Sequence, residues 1–241
     1  MVPHERVASE RKRRRPTRSG VVLTADMIVD SALGLIEEHG GEALTVRRLG
    51  AALGADPSAV YRYFRNTDDL FLAVADRLIG EALEGFSAQG PWSERLRELG
   101  LRVYRSALRH PRIAALSTSR VTRRPHEYHA VDTGIGLLLR AGFDEAAAVR
   151  HYHAFIDTVL GHAALDAAVL RLPAAAREGD AQAWQEAYTQ LPADTYPHLH
   201  TVREELPTMA GSAFESALDL LLEALAARAT TPAADAEPRQ G

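Results

Sequence analysis

One stretch, TVRRLGAALGADPSAVYRYF from Thr45 to Phe64, limits the possible folds more than any other part of the chain. Thr45 is a good N-cap for a first helix, whose Val46, Leu49 and Leu53 form one apolar stripe at i, i+3 and i+7. Gly54 suits the left-handed position that ends such a helix. Asp56 then caps a second helix, with Pro57 in its first turn, where a missing N–H costs nothing. Val60 and Phe64 lie four apart and face inward. Ser58, Ala59, Tyr61, Arg62 and Tyr63 are left mostly outside.

Two helices joined by so short a turn have the layout of a helix-turn-helix. Gly50 is small where the helices cross, and Val60 fills the angle between them. Spacing alone is equally compatible with a helical hairpin inside a bundle.

The flanks favour the first reading. Thr24 opens a helix with Ile28, Val29, Ala32, Leu33, Leu35 and Ile36 as its apolar residues, and Gly40-Gly41 stops it. After Arg65-Asn66, Thr67 is expected to cap another helix, with Asp68 and Asp69 at its positive dipole end. Residues 20–85 resemble the DNA-binding domain of the tetracycline-repressor (TetR) family. The elements L-T-x-R-x-L, L-G and V-Y-R-Y-F carry the likeness in the family's order and spacing. The resemblance implies DNA contact by Thr45 and Arg47 on one helix, and by Pro57, Ser58, Ala59, Tyr61, Arg62 and Tyr63 on the next. One position departs from the pattern. Where a lysine commonly follows the aromatic-x-Asn element, this chain has Thr67, the counterpart of a phosphate contact.

Charge is divided unevenly. Residues 1–66 carry 11 Arg/Lys against 8 Asp/Glu, and the remainder carries 17 against 24. A basic first quarter on an acidic body suits a DNA-binding head joined to a second domain with another task. Residues 1–19 contain RKRRRPTR and no periodicity, which reads as a disordered basic arm. Two readings stand for it: a solvated tail, or an arm whose Arg13, Arg14 and Arg15 follow the DNA backbone or enter the minor groove. The chain has no cysteine, which excludes disulfides and thiolate chemistry. No uninterrupted apolar run reaches the ~18 residues of a membrane span. The arginine-rich start lacks the apolar core of a secretory signal, so the expected location is the cytoplasm, with no membrane partner.

The rest of the chain reads as helices throughout. The expected class is all-α, with an N-terminal helix-turn-helix domain and a C-terminal helical domain for ligand binding and dimerisation. The expected divisions are 1–19 (arm), 20–66 (DNA-binding), 67–87 (connecting helix), 88–228 (effector-binding and dimerisation) and 229–241 (disordered tail). Within the larger domain, helices are expected near 93–110, 113–119, 126–141, 144–172, 181–190, 198–205 and 208–228, with a linker at 173–180. The helices at 144–172 and 208–228 are apolar over more than one face. A helix of that kind buries itself against more than its own domain. The expected solution is a four-helix homodimer interface using Ile156, Leu160, Ala163, Ala167, Leu218, Leu221, Leu222 and Leu225. A larger monomer core is the other solution. The family resemblance implies the same pair of helices; in this half of the chain the AGF turn at 141–143 and the final helix, FESALDLLLEAL, look like family features.

No catalytic set can be assembled. Nucleophile-elbow, Walker and dinucleotide-binding patterns are all missing. His126 and His129 have metal-like spacing but no visible third ligand, so no metal or cofactor is expected. Polar or aromatic residues on otherwise apolar helices are the candidates for a small-molecule pocket: Tyr104, Tyr128, His151, Phe155, Thr158, His162 and Trp184. Each is equally readable as a satisfied core or interface residue. The expected function is a ligand-responsive regulator, a dimer on a palindromic double-stranded DNA operator, released by an unidentified small molecule. The alternatives are a helical binding protein or enzyme with an incidental helix-turn-helix, and a constitutive regulator without an effector.

Overall fold

The computed structural model describes residues 22–229. The arginines of the proposed arm, Arg13 to Arg15, and the end of the expected C-terminal tail lie outside them. The described chain is helical, with no strand beyond an isolated bridge residue at Val22. It falls into two compact units, one ending at Phe71 and the other starting at Leu72.

In the first unit, α1 (Ala25–His39) is capped by Thr24, whose hydroxyl accepts the Met27 N–H, and ends at Gly40. A single 3₁₀ turn, Gly41–Ala43, leads to α2 (Val46–Leu53). The following segment, Pro57–Arg62, is a 3₁₀ helix and not the expected α-helix. Its six residues begin on a proline and pack tightly under α2. A Cβ added at Gly50 would lie 2.9 Å from the Ala55 carbonyl oxygen and 3.1 Å from Pro57 Cα. Gly54 adopts the left-handed conformation (φ 58°) that ends α2. Ile28, Ala32, Ile36, Leu49, Val60, Phe64 and Leu70 fill the core.

The next helix, α3 (Thr67–Leu83), starts one position earlier in its cap than expected. The Asn66 side chain, not Thr67, accepts the Asp69 N–H, at 2.8 Å. Asn66 is therefore the cap, its side-chain carbonyl reaching the N–H of the third helical residue.

In the second unit, α4 (Trp92–Arg109), α5 (Pro111–Ser117), α6 (Pro125–Arg140) and α7 (Glu145–Leu170) precede a largely exposed stretch. That stretch holds α8 (Ala174–Gln182), a π-helical turn (Ala183–Ala187), α9 (Pro197–Thr201) and a 3₁₀ turn (Leu206–Ala210). The chain closes with α10 (Phe214–Ala226). Four expectations are corrected here. The helix expected from 93 opens one residue earlier, at Trp92 behind Pro91. Residues 173–180 are not a linker, because Pro173 opens a helix rather than interrupting one and the alanines after it are strong helix formers. The expected 198–205 helix ends at Thr201. The expected 208–228 helix is split, since Gly211 is extended between the 3₁₀ turn and α10.

The core of this unit is built by α4, α6, α7 and α10, around Leu96, Leu99, Leu137, Phe155, Val159, Phe214 and Leu218. Of the described helices, α7 alone is long and apolar enough by composition to cross a membrane. One of its faces, from Ala148 through Tyr152, Phe155, Val159 and Ala163 to Ala167, is buried in this bundle.

Candidate nucleic-acid interface and effector-binding region

The first unit positions a short exposed edge with fixed geometry. The Thr45 hydroxyl accepts the Arg48 N–H at 3.3 Å, which sets the start of α2 and leaves Arg47 exposed. Asp56 Oδ1 accepts both the Ser58 N–H (2.8 Å) and the Ser58 hydroxyl (2.6 Å). These bonds hold the Asp56 carboxyl below its ordinary range, the Ser58 hydroxyl contributing most and the Ser58 N–H next. Two buried anchors, Val60 and Phe64, then fix the segment from behind. What remains outward is Pro57, Ser58, Tyr61 (54 % exposed) and Arg62.

Two of the expected DNA-facing residues are not on that edge. Ala59 is buried (6 % exposed), because a 3₁₀ turn places it beside Val60 against the core. Tyr63 is half buried, and its hydroxyl donates to the Leu23 carbonyl, tying the segment to the start of α1. At the position where the family pattern has a lysine, Thr67 is half buried. Arg65 is held by Asp69, which accepts its N–H at 2.9 Å and stands 3.4 Å from its guanidinium.

In the second unit the seven candidate pocket residues do not converge. Tyr104 and His162 do come together, around Phe214: Tyr104 stacks on that ring at 3.9 Å and His162 lies 5.8 Å from it. The Tyr104 hydroxyl donates to Asp166 at 2.6 Å and lies 3.0 Å from the Ser212 hydroxyl, which itself donates to Asp166 at 2.5 Å. Burial, then the bond to Asp166, raises the Tyr104 pKa. Phe155 is a core residue, packed against Gly100 and Tyr152. His151 lies edge-on to Phe143 at 4.7 Å. Thr158 returns its hydroxyl to the Ala154 carbonyl. Trp184 stacks on Tyr188 in the exposed stretch, and Tyr128 is 59 % exposed. Asp166 and Ser212 escaped the sequence reading. The available signal was a carboxylate at Asp166 on the stripe that includes Val159 and Ala163.

An open cleft of about 510 Å³ lies elsewhere, lined by Glu81 and Ala82 of α3 and by residues of α4 from Glu94 to Arg109. None of the seven candidates lines it. The His126 Nδ1 is 2.9 Å from Asp76, a buried carboxylate that also accepts the Glu127 N–H and the Thr122 hydroxyl. His126 is thus engaged at the start of α6.

The expected dimer residues separate into two groups. Ala163, Ala167, Leu218, Leu222 and Leu225 are buried within this one chain. Small residues on α7 let α4 and α10 approach, so their side chains are spent inside the bundle. Ile156, Leu160 and Leu221 are only partly buried. Facing out are Leu165 and Val169 on α7, and Leu220 on α10.

Comparison with known proteins covers both units. Residues 28–74 match the family model of bacterial regulatory proteins of the tetR family, and residues 85–229 match the tetracyclin repressor-like C-terminal domain. An HTH-type transcriptional regulator of Saccharopolyspora erythraea is 26 % identical over 145 residues, 60 % of this chain and 61 % of that protein. The chain thus spans about three-fifths of that relative's length. The class A tetracycline repressor protein from transposon 1721 of Escherichia coli is 27 % identical over 223 residues, 91 % of this chain and 98 % of the repressor. Among solved structures, apo ActR of Streptomyces coelicolor has a TM-score of 0.73 and 25 % identity, covering 86 % of this chain and 96 % of ActR.

Proposed function

The chain belongs to the TetR family of bacterial regulatory proteins, a family of DNA-binding transcriptional regulators, and from this premise we propose that it is a cytoplasmic, ligand-released repressor that binds a palindromic operator as a homodimer. The observation that carries the proposal is the outward edge of the Pro57–Arg62 segment, with Tyr61 and Arg62 presented on a backbone fixed by the Asp56 cap and the Val60 and Phe64 anchors. On this reading Arg62 contacts a guanine, since its fork matches O6 and N7, and Tyr61, Pro57 and Ser58 flank it. Thr45 and Arg47 contact the backbone at the start of α2, and the basic arm follows the DNA. Two copies are needed because a palindrome presents the same half-site twice.

The effector binds in the second unit, where Tyr104, His162, Asp166 and Ser212 offer polar atoms beside the Phe214 ring. It acts only through unequal affinity for the DNA-binding and the released conformations. Dimerisation uses the outer faces of α7 and α10, with Leu160, Leu165, Leu220 and Leu221 at its centre. The test is a gel-shift titration on the DNA upstream of the chain's own gene, with and without candidate small molecules. Specific retardation, relieved by one compound that is not consumed, is the expected result. Turnover of that compound, or no preference for the promoter over unrelated duplex, would overturn the reading.

A further inference from the structure

From Pro57 to Thr67 the first unit carries two arginines, Arg62 and Arg65, and no aspartate or glutamate. Arg62 ends the outward 3₁₀ segment, and Arg65 follows three residues later, with Phe64 turned into the core between them. The Arg65 side chain is 84 % exposed. It stands immediately before Asn66, the cap of α3, and so at the positive end of that helix. A cation there opposes the helix dipole, and α3 gains nothing from it. The charges that this end favours are those of Asp68 and Asp69 in its first turn.

Asp69 meets Arg65 twice, with unequal strength. Its Oδ2 accepts the Arg65 backbone N–H at 2.9 Å, a firm bond that fixes the entry of the chain into α3. The guanidinium is held more loosely: Nε stands 3.4 Å from Oδ2, and Nη2 stands 3.5 Å from Oδ1. Hydrogen bonds of that length are weak, and an ion pair with one partner in water contributes little to folding. The backbone bond asks only for an acceptor oxygen at position 69. It needs neither a negative charge there nor an arginine side chain at 65. The side-chain pair is therefore an addition that the fold does not require, three residues from the residue best placed to read a base.

We propose that Arg65 is a phosphate contact of the operator complex and that Asp69 is its built-in competitor, holding the guanidinium in the free protein and yielding it to DNA. The proposal rests on the DNA-binding reading above and adds a residue to it; both groups lie in the first unit. A phosphate offers the guanidinium fork the same pair of oxygens as a carboxylate, and can approach it more closely than Asp69 does. The exchange gives up a loose surface pair, gains a charge-assisted one and releases a counterion from the DNA. Such a contact carries no base information. Asp69 therefore lowers affinity for every duplex alike, which limits non-specific occupancy and leaves promoter preference to Arg62 and its neighbours.

The experiment is a double-mutant cycle in the full chain: wild type, Arg65→Gln, Asp69→Asn and the two combined, with Arg65→Lys as the form that keeps the charge. Asp69→Asn retains an oxygen for the Arg65 N–H. Binding to the promoter fragment and to an unrelated duplex of equal length is measured across a salt series. Arg65→Gln should weaken both complexes and flatten the slope of log K against log[salt] by ~0.9 per copy, ~1.8 for two copies, while Arg65→Lys keeps the wild-type slope. Asp69→Asn should tighten both complexes about two- to fivefold per copy, the range of an exposed pair, and most of that gain should vanish in the combined variant. A wild-type slope for Arg65→Gln would overturn the contact. An equal gain from Asp69→Asn with and without Arg65 would overturn the competition and leave Asp69 as a general repulsive charge. A wild-type chain with no promoter preference would instead sink the operator reading, while the slopes and the cycle stay readable on either duplex. Melting temperatures check that each variant folds. If Asp69→Asn melts low, Asp69→Gln, a longer amide suited to the same capping position, takes its place in the cycle.

Discussion

Among single side chains, Arg62 and Asp56 divide the work of the outward edge. Arg62 extends from the end of the 3₁₀ segment into solvent, free to meet a base, while Asp56 fixes the backbone that aims it. Arg62→Ala should weaken promoter binding by ~1–3 kcal/mol and relax preference at one position in each half-site. Equal weakening on every sequence would mean that the side chain touches phosphate only. Asp56 gives a pH signature. Its carboxyl lies below the ordinary aspartate range in the folded chain because the ionised form accepts two bonds from Ser58. A depressed folded pKa means that the stabilisation is complete above the unfolded value of ~3.9 and fades as pH falls through the folded one. Asp56→Asn keeps a capping oxygen but has no charge to lose. The wild type should therefore melt higher than Asp56→Asn near neutral pH, and the difference should shrink below pH ~4. A difference that stays constant down to pH ~2 would remove Asp56 ionisation from the account.

Elements were legible where periodicity, caps and glycines agreed, as in α1 and α2 with Thr24, Thr45 and Gly54. They were less legible where one residue type serves two purposes. Proline opens α5, α6 and α9 and stands immediately before α4 and α8, so a proline after a helix announces the next one as often as a loop. That is why 173–180 looked like a linker. Ala59 and Tyr63 were misplaced because outward positions were taken from a 3.6-residue period, and a 3₁₀ segment turns every three residues. Ala163 and Ala167 were read as an interface because small residues mark close helix approach, and sequence does not say whether the approaching helix belongs to the same chain. The site in the second unit was legible only in part, since Tyr104 and His162 meet at Phe214, and Tyr104 is bonded to Asp166 and Ser212, so that the cluster joins α4, α7 and the residues 212–214 before and at the start of α10. The tightest test of an element is Gly50. In Gly50→Ala the new methyl meets backbone atoms of Ala55 and Pro57, which a rotamer change does not relieve. It should destabilise the chain by ~1–3 kcal/mol and push the 3₁₀ segment away from α2. Thermal melting and promoter affinity should fall together; a fully stable variant with normal affinity would show that the α2 crossing is looser than drawn.

For the whole molecule, the proposed interface on the outer faces of α7 and α10 is what would bring two heads to one palindrome. Leu220 is 67 % exposed and Leu165 62 %, large apolar groups that gain nothing from a single chain. Leu218, two residues earlier and on the opposite side of the same helix, is fully buried. The two leucines therefore separate assembly from folding. Leu220→Asp places a charge on the proposed interface without entering the core. Leu218→Asp places one in the core, where an unpaired carboxylate is costly to bury. The first variant should keep its helical spectrum and its melting transition at low concentration, sediment as a monomer, and lose most of its promoter affinity. The affinity loss follows because each head alone makes half of the phosphate and base contacts. The second should lose stability before it loses assembly. If Leu220→Asp remains a dimer, the interface lies on another face of the bundle. If it becomes a monomer yet binds the promoter as tightly as the wild type, two-fold recognition of the operator is not how this chain finds its DNA.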